Sequence, residues 1–265
     1  MSKTAFITGA SSGIGAEFAR QLAAKKYDLV IHGRRENLLI NLADKLRKKY
    51  NINVNVVTAE LTCSKQIQRL ADLIGQIENL EILINNAGFT TREYFYDEPL
   101  SSQLGILDVH LRATVVFSHA ALKIMIAKNH GSIINVSSVA GFFAAPTSSM
   151  YCATKSFLNT FTQSLSLELD NTDIKVQALC PGYTLSDFHT KIGYAKDDKR
   201  FKKFMSAEFV VRNSLKDLEH NRVFSIPGVK YKIMVVLSKF LPHVFFNHIA
   251  KKRYEKRRKN YTEHL

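Results

Sequence analysis

Lys3-Thr4-Ala5-Phe6-Ile7-Thr8-Gly9-Ala10-Ser11-Ser12-Gly13-Ile14-Gly15 is the stretch on which the fold turns. Residues 3–8 read as a buried strand, and Gly9, Gly13 and Gly15 follow at once. A helical pattern then begins, with Phe18, Leu22 and Ala23 on one side. A strand, a glycine-rich turn and a helix N-terminus together present bare backbone N–H groups and a favourable dipole. That combination forms a site for a diphosphate. Glycine-rich turns also serve as plain tight connections, and the spacing here is G-xxx-G-x-G rather than GxGxxG.

Further along the chain, strand-like runs alternate with helix-length amphipathic stretches. The runs are Leu29–His32, Val54–Thr58, Ile82–Asn85, Ser132–Val136, Lys175–Leu179 and Val223–Ile226. This alternation predicts an α/β fold, a Rossmann-like doubly wound parallel sheet with helices on both faces. A chain of 265 residues with 46% apolar content can bury a sizeable core. We expect one catalytic domain over residues 1–228, with 229–265 as a helical basic extension packed on it. Cys63, Cys152 and Cys180 have no CxxC spacing and read as buried or semi-buried thiols. The first strand starts by residue 3 or 4, which leaves no room for a secretory signal and predicts a cytoplasmic setting. His243 and His248 are five apart, and no cluster predicts a metal site.

Chemistry enters at Tyr151-Cys152-Ala153-Thr154-Lys155, with Ser138 thirteen residues upstream. If Tyr151 opens a helix, Lys155 at i+4 lies on the same face. Its charge would then draw the phenol pKa down from about 10 toward neutral pH. Ser138 can hold a substrate oxygen while Tyr151 passes it a proton. A lone YxxxK is weak, since most instances are solvated helix faces. Its company is Asn85-Asn86-Ala87-Gly88, Asn135-Val136-Ser137-Ser138 and Pro181-Gly182, all in order along the chain.

With these segments the chain resembles the short-chain dehydrogenase/reductase family, in its TGxxxGxG, NNAG, serine and YxxxK pattern, over roughly residues 3 to 228. The resemblance implies that Ser138 positions a carbonyl and Tyr151 acts as general acid or base. It implies that Lys155 holds the nicotinamide ribose and that hydride passes between nicotinamide and the carbonyl carbon. Gly9, Ser11, Ser12, Gly13, Ile14 and Gly15 are the implied diphosphate loop. Glu60 and Leu61 would lie near adenine, although aspartate is the usual acid there. Asn86, Ala87 and Gly88 would line the adenosine ribose. Pro181 and Gly182 would end a strand where nicotinamide sits, and Thr184 or Ser186 would bind its carboxamide or the diphosphate. Ser137 reads as structural. One departure stands out: Val109-His110-Leu111-Arg112-Ala113-Thr114 places His110 where the family often carries a fourth catalytic asparagine. In the family the main-chain carbonyl at that position holds a water of the proton relay. The resemblance therefore implies a working site with altered hydration or pH dependence, against a histidine that merely fills space.

The second strand ends His32-Gly33-Arg34-Arg35, with no acid before Glu36. A carboxylate there would hold the ribose hydroxyls of NAD and repel a 2′-phosphate, whereas two guanidinium groups suit that phosphate. NADP(H) is the expected cofactor; the alternative is a solvated basic turn. Asp187 to Met205 mixes aromatics with lysines and arginines and is expected to close over ligand, with Phe142-Phe143-Ala144-Ala145-Pro146 as the opposite wall. Simple packing of those aromatics is the competing reading. We expect a hydrophobic ketone or aldehyde as substrate, with a 3-oxoacyl thioester as alternative. A membrane-associated NADP-binding scaffold or sensor with little turnover is a second class of function.

Residues 229 to 265 repeat apolar positions at near-helical spacing, but Lys239 and Pro242 interrupt them well short of the roughly 20 residues a span needs. Residues 251–259 then hold seven basic side chains against one acid, within a formal net charge of +14. An apolar helical face followed by a basic cluster can lie on an anionic membrane, or it can cap a core or an oligomer interface. The basic balance alone attracts nucleic acid only nonspecifically, and no recognised nucleic-acid module is present. The resemblance implies a homodimer or homotetramer.

Overall fold

The structure is a computed structural model and describes residues 2–91, 93–185 and 204–240. Seven parallel strands form one sheet: β1 (Thr4–Ile7), β2 (Asp28–Gly33), β3 (Val54–Thr58), β4 (Leu80–Asn85), β5 (Gly131–Val136), β6 (Ile174–Leu179) and β7 (Phe224–Ser225). Their order is β3-β2-β1-β4-β5-β6-β7. The chain builds outward from β1 in one direction, then returns to the other side of β1 with β4. The crevice at the carboxyl ends of β1 and β4 is therefore the topological switch point, where α/β sheets bind ligands.

Strands covered on both faces must be apolar at nearly every position. In β1, Ala5 and Ile7 join one core cluster and Phe6 the other. The first cluster lies under α1 (Gly13–Ala24), α2 (Glu36–Tyr50) and the helix Ala207–Glu219, through Phe18, Leu39, Leu42, Val210 and Leu215. The second lies under α3 (Ser64–Gly75), α5 (Ala113–Lys128) and α6 (Ser149–Glu168), through Ile67, Leu70, Phe117, Met125 and Leu165. Phe117 is fully buried with its ring 6.4 Å from that of Phe6. Burying such a side chain stabilises by about 1.5–3 kcal/mol.

All six expected strand runs recur with ends shifted by no more than two residues. The last, expected over Val223–Ile226, forms only Phe224–Ser225. This edge strand pairs with β6 alone, and Pro227, without an N–H, stands two residues beyond its end. Between α4 (Leu100–Leu107) and α5 the helix widens into one π-helical turn, Asp108–Arg112, which carries His110. Such local widenings cluster at functional positions. Among the described residues, two helices follow β6, α7 (Ala207–Glu219) and α8 (Val229–Phe240). Cys152 and Cys180 are buried and Cys63 half-buried, all as free thiols.

Candidate active site

The crevice floor is the turn between β1 and α1. Gly9 has φ +68°, and a Cβ there would stand 2.8 Å from Asn86 Nδ2. That crowding has a cause: Asn86 Nδ2 donates to Thr8 O (2.8 Å) and Gly9 O (3.1 Å). Thr8 Oγ1 accepts from the backbone N–H groups of Asn86 (2.8 Å) and Ala87 (3.0 Å). The glycine turn and the Asn86–Gly88 segment are thus stitched into one surface. Thr8, the threonine of the TGxxxGxG pattern, to which the sequence reading gave no role of its own, makes the stitch; its place in that pattern was the available signal.

Ser12 stands at the N-cap of α1 without its hydroxyl accepting from the helix N–H groups, and the first turn of the helix carries no acid. Its leading N–H groups therefore keep their capacity for an anion. Above them, Arg35 donates from Nη2 to Ser11 Oγ (2.9 Å) and Ser12 Oγ (2.6 Å). Arg34, which is mostly exposed, pairs with Glu60 at 3.1 Å. Glu60 therefore sits below its usual pKa despite partial burial, because the Arg34 hydrogen bond and charge outweigh the desolvation. These residues fit the diphosphate and phosphate end of a nicotinamide dinucleotide: open helix N–H groups, close backbone approach and a fixed guanidinium. Beneath this edge His32 is buried, and its Nε2 meets Ala59 O at 3.2 Å. Burial lowers its pKa to about 4.

Ser138, Tyr151 and Lys155, the residues expected to transfer a proton, gather at the carboxyl end of β5. Ser138 caps the 3₁₀ turn Val139–Phe142, its hydroxyl accepting from Ala140 N at 3.1 Å. Tyr151 stands in the first turn of α6 and Lys155 one turn later on the same face, as the i+4 spacing predicts. The Ser138 hydroxyl hydrogen-bonds the Tyr151 phenol, which favours the phenolate, but burial dominates and pushes the phenol up to about 12. The expected downward pull by Lys155 is thereby corrected. Lys155 is buried, its Nζ donates to Val136 O at 2.7 Å, and it stands 5.7 Å from the centre of the Tyr151 ring. Burial lowers the Lys155 ammonium itself to about 8. Ser137 donates to Lys155 O at 2.9 Å, so its hydroxyl is engaged in holding the helix.

His110 is buried at the junction of these two halves. Its Nε2 accepts the backbone N–H of Phe89 (3.1 Å), which leaves the proton on Nδ1 to donate to Thr154 Oγ1 (2.9 Å). Thr154 Oγ1 in turn donates to Tyr151 O at 3.0 Å. Burial, aided by the Lys155 charge, holds the imidazole well below its usual pKa and hence neutral. Its ring meets that of Tyr151 edge-on, with centroids 5.9 Å apart. A side chain at Gly88 would collide with it, since a Cβ there would lie 2.8 Å from Nε2. Phe89, next after the NNAG segment, and Thr154, at an unspecified position of YxxxK, complete this link.

Of the other residues singled out from sequence, Leu61 is buried beside the β3 end. Pro181 O lies 3.5 Å from Ser138 Oγ. Thr184 is buried with its hydroxyl donating to Gly182 O at 3.0 Å. Ser186 and the aromatic and basic segment after it lie outside the described residues, apart from Phe204 and Met205. Those two meet the other end of the segment: the Phe204 ring stacks on Tyr183 at 5.0 Å, and Leu185 N donates to Met205 O. A cleft beside Tyr151 is lined by Thr90, Thr91, Phe95, Gln103, Ser149 and Met150, among others. Phe142, expected to form a wall opposite Asp187–Met205, packs on Phe224 with centroids 6.0 Å apart.

The fold and this constellation define an oxidoreductase built for carbonyl or CH–OH chemistry with a nicotinamide cofactor. The chain belongs to the short-chain dehydrogenase family, whose model matches residues 3–197. It is 36% identical over 190 residues to the 3-oxoacyl-[acyl-carrier-protein] reductase FabG of Rickettsia prowazekii, covering 72% of this chain and 76% of that one. Among solved structures it is similar to a short-chain dehydrogenase from Sphingobium yanoikuyae in complex with NADPH. That pair has a TM-score of 0.81 and 29% identity, with 86% and 88% of the two chains covered. It also resembles the bulky-bulky ketone specific alcohol dehydrogenase of Comamonas testosteroni, with a TM-score of 0.76, 27% identity, and 96% and 92% coverage.

Proposed function

We propose that this protein is an NADP(H)-dependent reductase of hydrophobic ketones or aldehydes, interconverting a carbonyl and a secondary alcohol. The observation that carries the reading is Tyr151 hydrogen-bonded to Ser138 with Lys155 one turn away, in a fold whose α1 start carries Arg35 on Ser11 and Ser12. The nicotinamide supplies the hydride when bound. The chain's own residues do the rest. Ser138 holds the carbonyl oxygen, and Tyr151 delivers a proton to it. A phenol near 12 is protonated at neutral pH, which is the form reduction requires. Lys155, which donates to Val136 O here, would hold the nicotinamide ribose. Arg34 and Arg35 bind the 2′-phosphate, and Asn86–Gly88 support the adenosine ribose.

His110 acts here as a positioning residue: through Thr154 and Phe89 it ties the tyrosine helix to the ribose-side segment. The NADPH complex of the Sphingobium enzyme supports the cofactor assignment by similarity. A second reading, reduction of a 3-oxoacyl thioester, is favoured by the name of the Rickettsia relative. The family resemblance adds a homodimer or homotetramer in a cytoplasmic setting.

The test follows NADPH and NADH oxidation over ketones, aldehydes and 3-oxoacyl thioesters, with Tyr151→Phe beside the wild type. NADPH-dependent turnover that vanishes in the variant is expected. A preference for NADH would remove the role given to the arginines, and NADPH binding without turnover on any carbonyl would favour a cofactor-binding sensor.

A further inference from the structure

Helix α8 is built inside out for a helix facing water. Its inner side packs on the site: Val235 is buried, and the Tyr231 hydroxyl accepts from Tyr183 N at 3.1 Å. The Tyr231 ring lies against Gly182. The outer side is where a surface helix carries polar residues. Here Val229, Ile233, Val236 and Phe240 recur at i, i+4, i+7 and i+11 with Leu237 beside them, all exposed; Val229 is 72% and Phe240 80% accessible. Lys230 and Lys232 are exposed on the same helix. From 229 to 265 the sequence holds ten lysines and arginines against Glu255 and Glu263 alone, so this stretch carries more than half of the net +14.

We propose that the outer face of α8 docks on an anionic lipid bilayer, lying in the interface with its apolar stripe among the acyl chains and its lysines at the headgroups. Three observations select this occupant. The stripe is continuous and one-sided, the form of an interfacial helix. The charge that the sequence carries from 229 onward is strongly positive, with Lys230 and Lys232 exposed on the helix itself, and complements anionic lipid. A second copy fits poorly, because a two-fold contact through α8 would press identical cationic segments together. Twelve residues rise about 18 Å, too little to cross a bilayer, so the contact is peripheral. Because α8 also packs on the 3₁₀ turn that follows Ser138, the lipid surface would lie beside the mouth of the proposed active site. The docking itself does not rest on the redox reading, and its test needs no turnover.

The experiment is flotation of the full-length protein with phosphatidylcholine vesicles and with vesicles of mixed phosphatidylcholine and phosphatidylglycerol. The wild type is compared with a triple variant, Ile233→Ser, Val236→Ser and Phe240→Ser, whose thermal unfolding is checked in parallel. Expected are selective binding to the anionic vesicles, weakened by salt, and a partition about tenfold lower in the variant with unfolding unchanged. Failure of the wild type to float with anionic vesicles overturns the proposal. Equal binding by the variant also overturns it, since the basic sequence alone would then be responsible. A wild-type oligomer that the triple variant dissociates, with neither protein floating, overturns it in favour of a second copy of the chain. If the triple variant unfolds early, Phe240→Ser alone, at the most exposed position of the stripe, must still weaken flotation.

Discussion

At the β5–α6 end of the crevice, Ser138, Lys155 and His110 are buried and each has a defined partner in the backbone or on a neighbouring helix. At the β2–β3 end, Arg34 projects into solvent and shares an ion pair with a part-exposed Glu60. The contrast is physical. A buried ammonium such as Lys155 cannot leave its carbonyl without an equally good partner, because an unpaired charge in the interior is costly. An exposed ion pair contributes about 0–1 kcal/mol and exchanges partners freely. Proton transfer is therefore preset by the fold, whereas the recognition of one cofactor over another rests on contacts that water already competes for.

The strongest way to break this comparison is to remove the proton donor. Tyr151→Phe should lower kcat by about 10²–10⁴-fold while leaving nicotinamide nucleotide binding intact, measured by single-turnover kinetics and fluorescence titration. If binding falls in parallel, the phenol contributes to holding the cofactor and the division between the two ends fails. At the other end, the double change Arg34→Ala and Arg35→Ala should weaken NADPH by about 10–100-fold with NADH little altered, as expected for lost charge-assisted bonds to a phosphate. An equal loss for both nucleotides would place the arginines on the shared diphosphate instead.

His32 sharpens the comparison, because it is the buried titratable group beneath the exposed edge. Its folded pKa is depressed from 6.5 to about 4, so the unfolded chain binds a proton that the folded chain refuses. Its contribution is complete above pH 6.5 and is lost as pH falls toward 4, amounting to about 2 kcal/mol by pH 5. His110 is shifted in the same direction. Urea unfolding of His32→Gln against wild type should show a flatter acid limb in the variant; parallel limbs would mean that the ring takes up its proton within the fold. The smallest effect is expected at the junction. His110→Asn should lower kcat about tenfold, equivalent to about 1.4 kcal/mol of lost positioning, with KM for NADPH nearly unchanged. Because the imidazole is neutral, the pH–rate profile should keep its inflections, and Thr154→Val should reproduce the loss in kcat. A displaced inflection would return His110 to the proton relay.

Much of this was legible without coordinates. The glycine turn declares itself because a left-handed residue at Gly9 and close approach at Gly15 demand glycine whatever surrounds them. The strands are legible because a sheet covered on both faces needs consecutive apolar residues, and Tyr151 and Lys155 because four residues of helix return to the same face. These are rules of local geometry. Thr8, Phe89 and Thr154 escaped because each acts on a residue far away in the chain: Thr8 on Asn86, Phe89 on His110, and Thr154 on His110 from another helix. Residue type alone does not separate such a threonine from one in a solvated turn.

What the sequence by itself determined is therefore the α/β class, the family and the nicotinamide chemistry, together with the residues proposed here for proton transfer, since each follows from spacing along one strand or one helix. Only the tertiary structure decided the electrostatics. Lys155 turns to Val136 O and the Tyr151 phenol rises to about 12 rather than falling. His110 becomes a neutral link between two segments, and α8 shows its apolar side to the outside. A pKa, a tautomer and an exposed face all depend on which distant groups exclude water from a given atom, and that is a property of packing rather than of order along the chain.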